Sequence, residues 1–160
     1  PPRSTLFPYT TLFRSYLHKD KFAKGLGTFS PAEHKEPAET PDKDYPLTLT
    51  TGRVYWHYHT GSMTRRTNLL NRECGKNFVE INPETAEPLK IRNGEMVIVE
   101  TRRGSIQLKA KIIKEIVPGV IFVPFHFAEA SANVLTNSAH DPVGKIPEYK
   151  VCAARIKKIS

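Results

Sequence analysis

The sequence is poor in cysteine, in glycine and in long apolar runs. Its 160 residues include two Cys and nine Gly, too few for a disulfide scaffold or a collagen-like repeat. No stretch approaches the roughly 18 consecutive apolar residues that a transmembrane helix requires, so no direct membrane insertion is expected. Cys74 and Cys152 could form one disulfide at most, and neither stands in a metal-ligand spacing such as CxxC. They read as reduced, partly buried thiols of a cytosolic protein. There is no Walker loop, no GxGxxG and no GxSxG, so catalysis by this chain alone is not expected.

Charge of one sign is abundant. Lys and Arg number 24 against 16 acids, a formal net charge of +8. That excess implies an anionic partner, which could be nucleic acid, an acidic membrane surface or a phosphorylated cofactor. Proline, 13 residues in all, is concentrated in the first third, which separates a non-globular leader from a folded core.

Residues 1–15, PPRSTLFPYTTLFRS, repeat Thr-Leu-Phe and lack the basic start, apolar run and cleavage site of a signal peptide. They resemble the translation of a common short-read sequencing adapter, without a mismatch, and are expected to be a library artefact. Removing Arg3 and Arg14 leaves a net charge of +6 from the +8. On this expectation Tyr16 marks wherever the insert began, and the natural protein is longer, with this piece at its C-terminal end.

Residues 16–44 are rich in Lys, Glu, Pro, Ala, Thr and Asp and read as a linker or surface arm. Residues 45–160 form the expected domain. Alternating residues 45–50 predict a strand, ended by Thr51-Gly52. A loop follows, and then one short helix over 63–71. Residues 78–81 predict a strand. Asn82-Pro83 starts a short helix, with Asn as cap and Pro at the first helical position, ending near Leu89. Residues 96–101 and 105–113 form a hairpin across Arg102-Arg103-Gly104. Further strands are expected at 120–123 and 149–156. Six short strands with brief helices predict a mainly β fold and a closed barrel.

The densest chemical constellation runs from Thr51 to Arg66, with two glycines, hydroxyls, His57, His59 and three Arg. Gly lets backbone N–H groups approach an anion, and Arg supplies a planar fork that matches phosphate. His57 and His59 are expected on opposite sides of their loop, a poor arrangement for a shared metal. The alternative is that Tyr55, Trp56 and Tyr58 fill a core while Arg65 and Arg66 are solvated. A second cluster, 124–137, supplies amide, imidazole and hydroxyl groups suited to a base or pterin edge; its alternative is an ordinary surface loop. His18, His34 and His140 are assigned no role. Glu129 and Asp141 could serve as bases, but no nucleophile or acid stands near them in sequence. No catalytic or metal-ligating residue is assigned.

The blocks TTGRVYWHYHTGSMTRRTNLLNR, FVEINPE, RRGSI, PGVIFVPFHFAEASANVLTN and DPVGKIPEYKVCAARI, in that order, resemble the C-terminal cofactor-binding domain of molybdopterin oxidoreductases, formate dehydrogenase catalytic (α) subunits most of all. The resemblance implies a double-psi β-barrel that closes over one side of a bis(molybdopterin guanine dinucleotide) cofactor carrying Mo or W. It implies that Thr51, Gly52 and Arg53 form a first loop against a dinucleotide, continued by His57, His59, Thr60, Ser62, Met63 and Thr64. Phe125, His126 and Asn133 match a second contacting segment, and Tyr149 and Lys150 a third. It further implies that the metal ligand and iron–sulfur cysteines lie upstream. The chain's partners are then the remaining domains of a cytoplasmic parent subunit and electron-transfer subunits, with no nucleic acid. The rivals are the same domain of an assimilatory nitrate reductase, and a stand-alone basic barrel that binds nucleic acid through stacking aromatics.

Overall fold

The computed structural model describes residues 20–159, so residues 1–15 and the start of the arm lie outside the described residues. The chain divides into two units between Lys35 and Glu36. In the first, Phe22 and Gly25 exchange two backbone hydrogen bonds of 2.9 Å, a turn that needs glycine because Gly25 has φ +98°.

The second unit is a barrel of six strands: β1 (Leu47–Gly52), β2 (Phe78–Ile81), β3 (Met96–Glu100), β4 (Ser105–Ile112), β5 (Val120–Pro124) and β6 (Cys152–Lys158). They close in the order β1-β5-β2-β4-β3-β6. Pairs β1/β5 and β2/β4 are parallel, and the other four are antiparallel. This is the mainly β, double-psi barrel expected from the sequence.

Period-2 patterning makes the core. Leu47 and Leu49, and Ile106, Leu108 and Ala110, alternate inward with polar neighbours facing out, and Val97 and Val99 alternate inward between the less buried Met96, Ile98 and Glu100. Val79, Ile81, Ile121, Val123 and Ile156 complete it. Each fully buried Leu, Ile or Val contributes about 1.5–3 kcal/mol, which suffices for a domain of this size without a disulfide. Among the described residues both thiols are free, Cys74 half-buried and Cys152 buried.

Local boundaries shift where tertiary contacts intervene. The helix over 63–71 is two pieces, a 3-10 turn at Thr64–Arg66 and α1 at Asn68–Glu73, because Thr67 is extended (φ −95°, ψ 115°). Asn82 does cap the next helix, accepting from the Glu84 N–H at 2.8 Å, but α2 stops at Ala86. Pro88 follows, and Lys90 turns left-handed at φ +54°. The last strand begins at Cys152 rather than at Tyr149.

Residues 36–44, read from sequence as part of the arm, run along the barrel. Glu39 pairs with Arg102 (2.7 Å) and Arg103, and Asp42 with Arg102. The Tyr45 ring lies between Arg102 and Arg155, 4.7 and 4.8 Å from its centroid.

The topology fixes where long loops meet. Parallel β1 and β5 are registered Gly52 against Pro124, so the segments after both strands leave the barrel side by side. Antiparallel β6 starts level with Leu49, which brings the residues before Cys152 to the same end.

Candidate functional site

The three emerging segments are tied together at the barrel end. Phe125 N–H donates to the Gly52 carbonyl at 3.2 Å, extending the β1/β5 ladder by one bond. The Thr51 hydroxyl donates to the Tyr149 carbonyl at 2.9 Å, and the Lys150 ammonium donates to the Thr51 carbonyl. Asn77, buried at the start of β2, donates to the carbonyls of Pro124 (3.1 Å) and Ala130 (2.7 Å).

Between the segments lies a cavity of about 530 Å³. Thr51, Gly52 and Arg53 line it from the first segment, followed by His59 and Thr60; Phe125 and Asn133 face it from the second; Tyr149 and Lys150 close it from the third. Every residue lining it was singled out from the sequence. Two cations, three hydroxyl-bearing residues, an imidazole and an amide line this one space. Neither the Arg53 guanidinium nor the Asn133 amide makes a side-chain hydrogen bond to another described residue, so both are available to a ligand.

Five of the candidates stand elsewhere. His57 is buried behind the loop, bonding the Cys74 carbonyl through Nε2 at 2.6 Å and the Thr64 hydroxyl through Nδ1 at 3.2 Å. A carbonyl can only accept, so Nε2–H donates to Cys74, and the Thr64 hydroxyl that pairs with Nδ1 also accepts from Tyr58 N–H at 3.1 Å. Ser62 and Met63 are exposed. His126 is 2% exposed, with Nε2 accepting from Val54 N–H at 2.9 Å and Nδ1 donating to the His59 carbonyl. One neutral imidazole thus holds both ends of residues 54–59. Burial first, and then the positive charge of nearby Arg53, push its pKa below the ordinary histidine value, and the proton pattern requires that neutral form.

His57 is buried and His59 stands at the cavity; the segment is turned and not extended there, and the turn is what separates two residues that an extended chain would place on one face. His59 sits in the left-handed region at φ +50°, a conformation a bulky residue adopts only where its surroundings impose it. Here the imposing contact is its carbonyl on His126. The alternative core reading of the aromatics fails: Tyr55 is 93% exposed and Tyr58 63%.

Arg65, Glu129 and Asn77 organise the site; the first two lay within the sequence clusters in other roles, and Asn77 was not singled out. Arg65 was read with the phosphate-matching arginines, yet its fork is taken by Glu129 at 2.6 and 2.9 Å. Only proximity across 64 residues of sequence would have revealed that pair. A larger cavity, about 630 Å³, lies on the other side of Arg53. Its lining sets Glu73 and Glu80 against Lys76 and Lys111, with Glu80 and Lys111 paired at 2.9 Å. These opposed charges make it a poorer anion site than the 530 Å³ cavity, whose lining carries cations and no carboxylate.

Fold and site together define a barrel domain that grips a polyanionic ligand bearing ring edges, through loops gathered at one barrel end. The chain belongs to the Molydopterin dinucleotide binding domain family, whose model matches residues 47–153. It is 57% identical over 145 residues to the F420-dependent formate dehydrogenase subunit alpha of Methanocaldococcus jannaschii, covering 89% of this chain and 22% of that protein. It is 42% identical over 143 residues to the assimilatory nitrate reductase catalytic subunit of Bacillus subtilis, covering 89% and 20%. The chain thus spans about a fifth of the length of the curated relatives it matches. Acetylene hydratase from Pelobacter acetylenicus superposes with a TM-score of 0.70 over 79% of this chain and 21% of that one. At 21% identity that likeness shows the fold alone. The cavity fits such a cofactor: its volume lies in the range of small-molecule sites, and its donor set suits pyrophosphate and purine or pterin edges.

Proposed function

We propose that this chain is the C-terminal cofactor-binding domain of a formate dehydrogenase α subunit, the catalytic subunit, holding one side of a bis(molybdopterin guanine dinucleotide) that carries Mo or W. The parent would oxidise formate to carbon dioxide, or the reverse, and pass two electrons to iron–sulfur clusters held upstream. The observation that carries the reading is the convergence of Arg53, Lys150 and Asn133 on one cavity; the higher identity to formate dehydrogenase than to nitrate reductase favours the substrate. When bound, the cofactor supplies the two-electron chemistry. This chain's residues bind and orient it. Arg53 and Lys150 neutralise pyrophosphate, Thr51, Thr60 and Asn133 donate or accept at fixed positions, His59, Phe125 and Tyr149 wall the rings, and Gly52 lets the backbone approach. His57, His126 and Thr64 hold the loop's shape, with Ser62 and Met63 on its outer turn. The remaining parent domains and electron-transfer subunits are the proposed partners, in the cytoplasm.

The test uses the full chain and guanosine diphosphate, which carries the guanine and pyrophosphate of the dinucleotide. Arg53→Met and Lys150→Met should each weaken its binding about tenfold in calorimetry, the effect of losing one charge-assisted contact. Unchanged affinity in both would overturn the site. Salt-steep binding of single-stranded DNA with no binding of the nucleotide would favour the nucleic-acid barrel. A long sequencing read across the codons upstream of Tyr16 tests the parent, with a Cys-rich reductase body expected.

A further inference from the structure

Besides the His126 bonds to Val54 and His59, a charged side-chain pair outside the cavity joins two of the three cavity segments. Arg65 lies five residues beyond Thr60, and Glu129 lies midway between Phe125 and Asn133. The guanidinium grips the carboxylate with both arms, Nη1 to Oε2 at 2.9 Å and Nη2 to Oε1 at 2.6 Å. Its carbon stands 4.8 Å from the centroid of the buried Phe127 ring. The stem of Arg65 crosses Gly61 so closely that a Cβ there would lie 2.9 Å from Arg65 Cγ and Cδ and 3.3 Å from the His126 carbonyl oxygen. Gly61 also has φ +72°, and its carbonyl accepts from Arg65 N–H at 2.9 Å.

We propose that Arg65 and Glu129 are a positioning pair that sets the spacing between the loop carrying His59 and Thr60 and the segment carrying Phe125 and Asn133, and so determines affinity for the guanine dinucleotide. The proposal rests on the cavity being the dinucleotide site. Neither residue lines the cavity, so the pair acts through backbone placement. The Arg65 stem packs against Gly61, its fork holds Glu129, and its guanidinium lies over the Phe127 ring. The bidentate fork matters because a lysine would hold one oxygen and leave rotation free.

A merely structural role predicts a different readout. The side chains of Arg65 and Glu129 are 26% and 54% exposed, and ion pairs at such exposure add little to global stability. A positioning role therefore shows as a large change in binding with a small change in unfolding.

The experiment measures calorimetric affinity for guanosine diphosphate and the thermal midpoint on the full chain, for the unaltered protein, Glu129→Gln, Arg65→Lys and the exchanged Arg65→Glu/Glu129→Arg. Each single change should weaken binding about tenfold with the midpoint nearly unmoved, and the exchange should recover most of the loss. Arg65→Lys and Glu129→Gln keep size and polarity, so a folded variant is secured even where the exchange does not fold. Folded single variants that bind as tightly as the unaltered chain would overturn the pair, as would a folded exchange variant no better than either. Failure of the unaltered chain to bind the nucleotide would instead sink the reading of the cavity, so the two failures are distinguishable.

Discussion

At the scale of single residues, His126 bears most directly on the site. Its ring accepts from Val54 N–H and donates to the His59 carbonyl, so it holds the loop that carries His59 in its left-handed turn. His126→Phe keeps the ring volume and strands both backbone groups, each at a cost of about 1–3 kcal/mol. Urea unfolding should show a loss of about 2–5 kcal/mol at neutral pH. The histidine's pKa is depressed below its ordinary value of 6.5 in the folded state, first by burial. The unfolded chain therefore takes up this proton at higher pH than the native one. The stabilisation is whole above pH 6.5 and is lost as pH falls from there through the folded value. The gap between the unaltered protein and His126→Phe should narrow over that window, and a gap constant with pH would refute the neutral-imidazole assignment. Of the cavity's lining, 51–53, 59–60, 125 and 133 fell in clusters legible from residue types, whereas 149–150 were singled out through the family resemblance alone. The fixing chemistry was not legible, because His126 bonds 67 and 72 residues away and Arg65 reaches 64 residues along the chain. Nothing local distinguishes a histidine that touches a ligand from one that props the loop behind it.

At the scale of elements, strands were legible wherever alternation alone decides them. β2 falls on 78–81 as expected, and the β3–β4 hairpin differs by one residue at its ends. Boundaries failed where an element's end is taken up by the site. The final strand was expected from Tyr149, but Tyr149 and Lys150 bond across to Thr51 and line the cavity, so pairing starts at Cys152. The seam between β3 and β6 gains a cross-strand carboxylate. Glu100 accepts from Arg155 and Lys157 at 2.6 and 2.7 Å, and these bonds, Arg155 first, lower its pKa from 4.5 to about 2. A depressed carboxylate stabilises the fold above its unfolded pKa, and that contribution disappears as pH falls through the folded one. Glu100→Gln should lower the urea midpoint at pH 6. Its difference from the unaltered protein should shrink between pH 4.5 and about 2 and close at the lower end. Parallel acid titrations of the two proteins would refute the seam's role.

At the scale of the whole molecule, barrel and site are one device. The parallel pair β1/β5 and the antiparallel β6 send three connections out of the same end, and those connections carry the donors. Ligand binding and folding must then be linked, since the unfolded chain scatters Arg53, Asn133 and Lys150 along some hundred residues. Guanosine diphosphate at a hundred times its dissociation constant should add about 2.7 kcal/mol to the unfolding free energy. For a domain near 125 residues that corresponds to a rise of about 10 °C in the thermal midpoint. Part of this rise is coulombic and therefore sensitive to salt. Raising ionic strength from about 0.1 to 1 M shortens the screening length from about 10 to 3 Å, which weakens the exposed cation contacts but spares the neutral donors Thr60 and Asn133. The nucleotide-induced rise should diminish in high salt without vanishing. A general polyanion effect of the net charge of +8 would behave otherwise, since inorganic pyrophosphate would match guanosine diphosphate at low salt and both effects would disappear at high salt. A midpoint rise specific to the guanine nucleotide and persisting in 1 M salt therefore separates recognition by these three loops from attraction by the protein's overall charge.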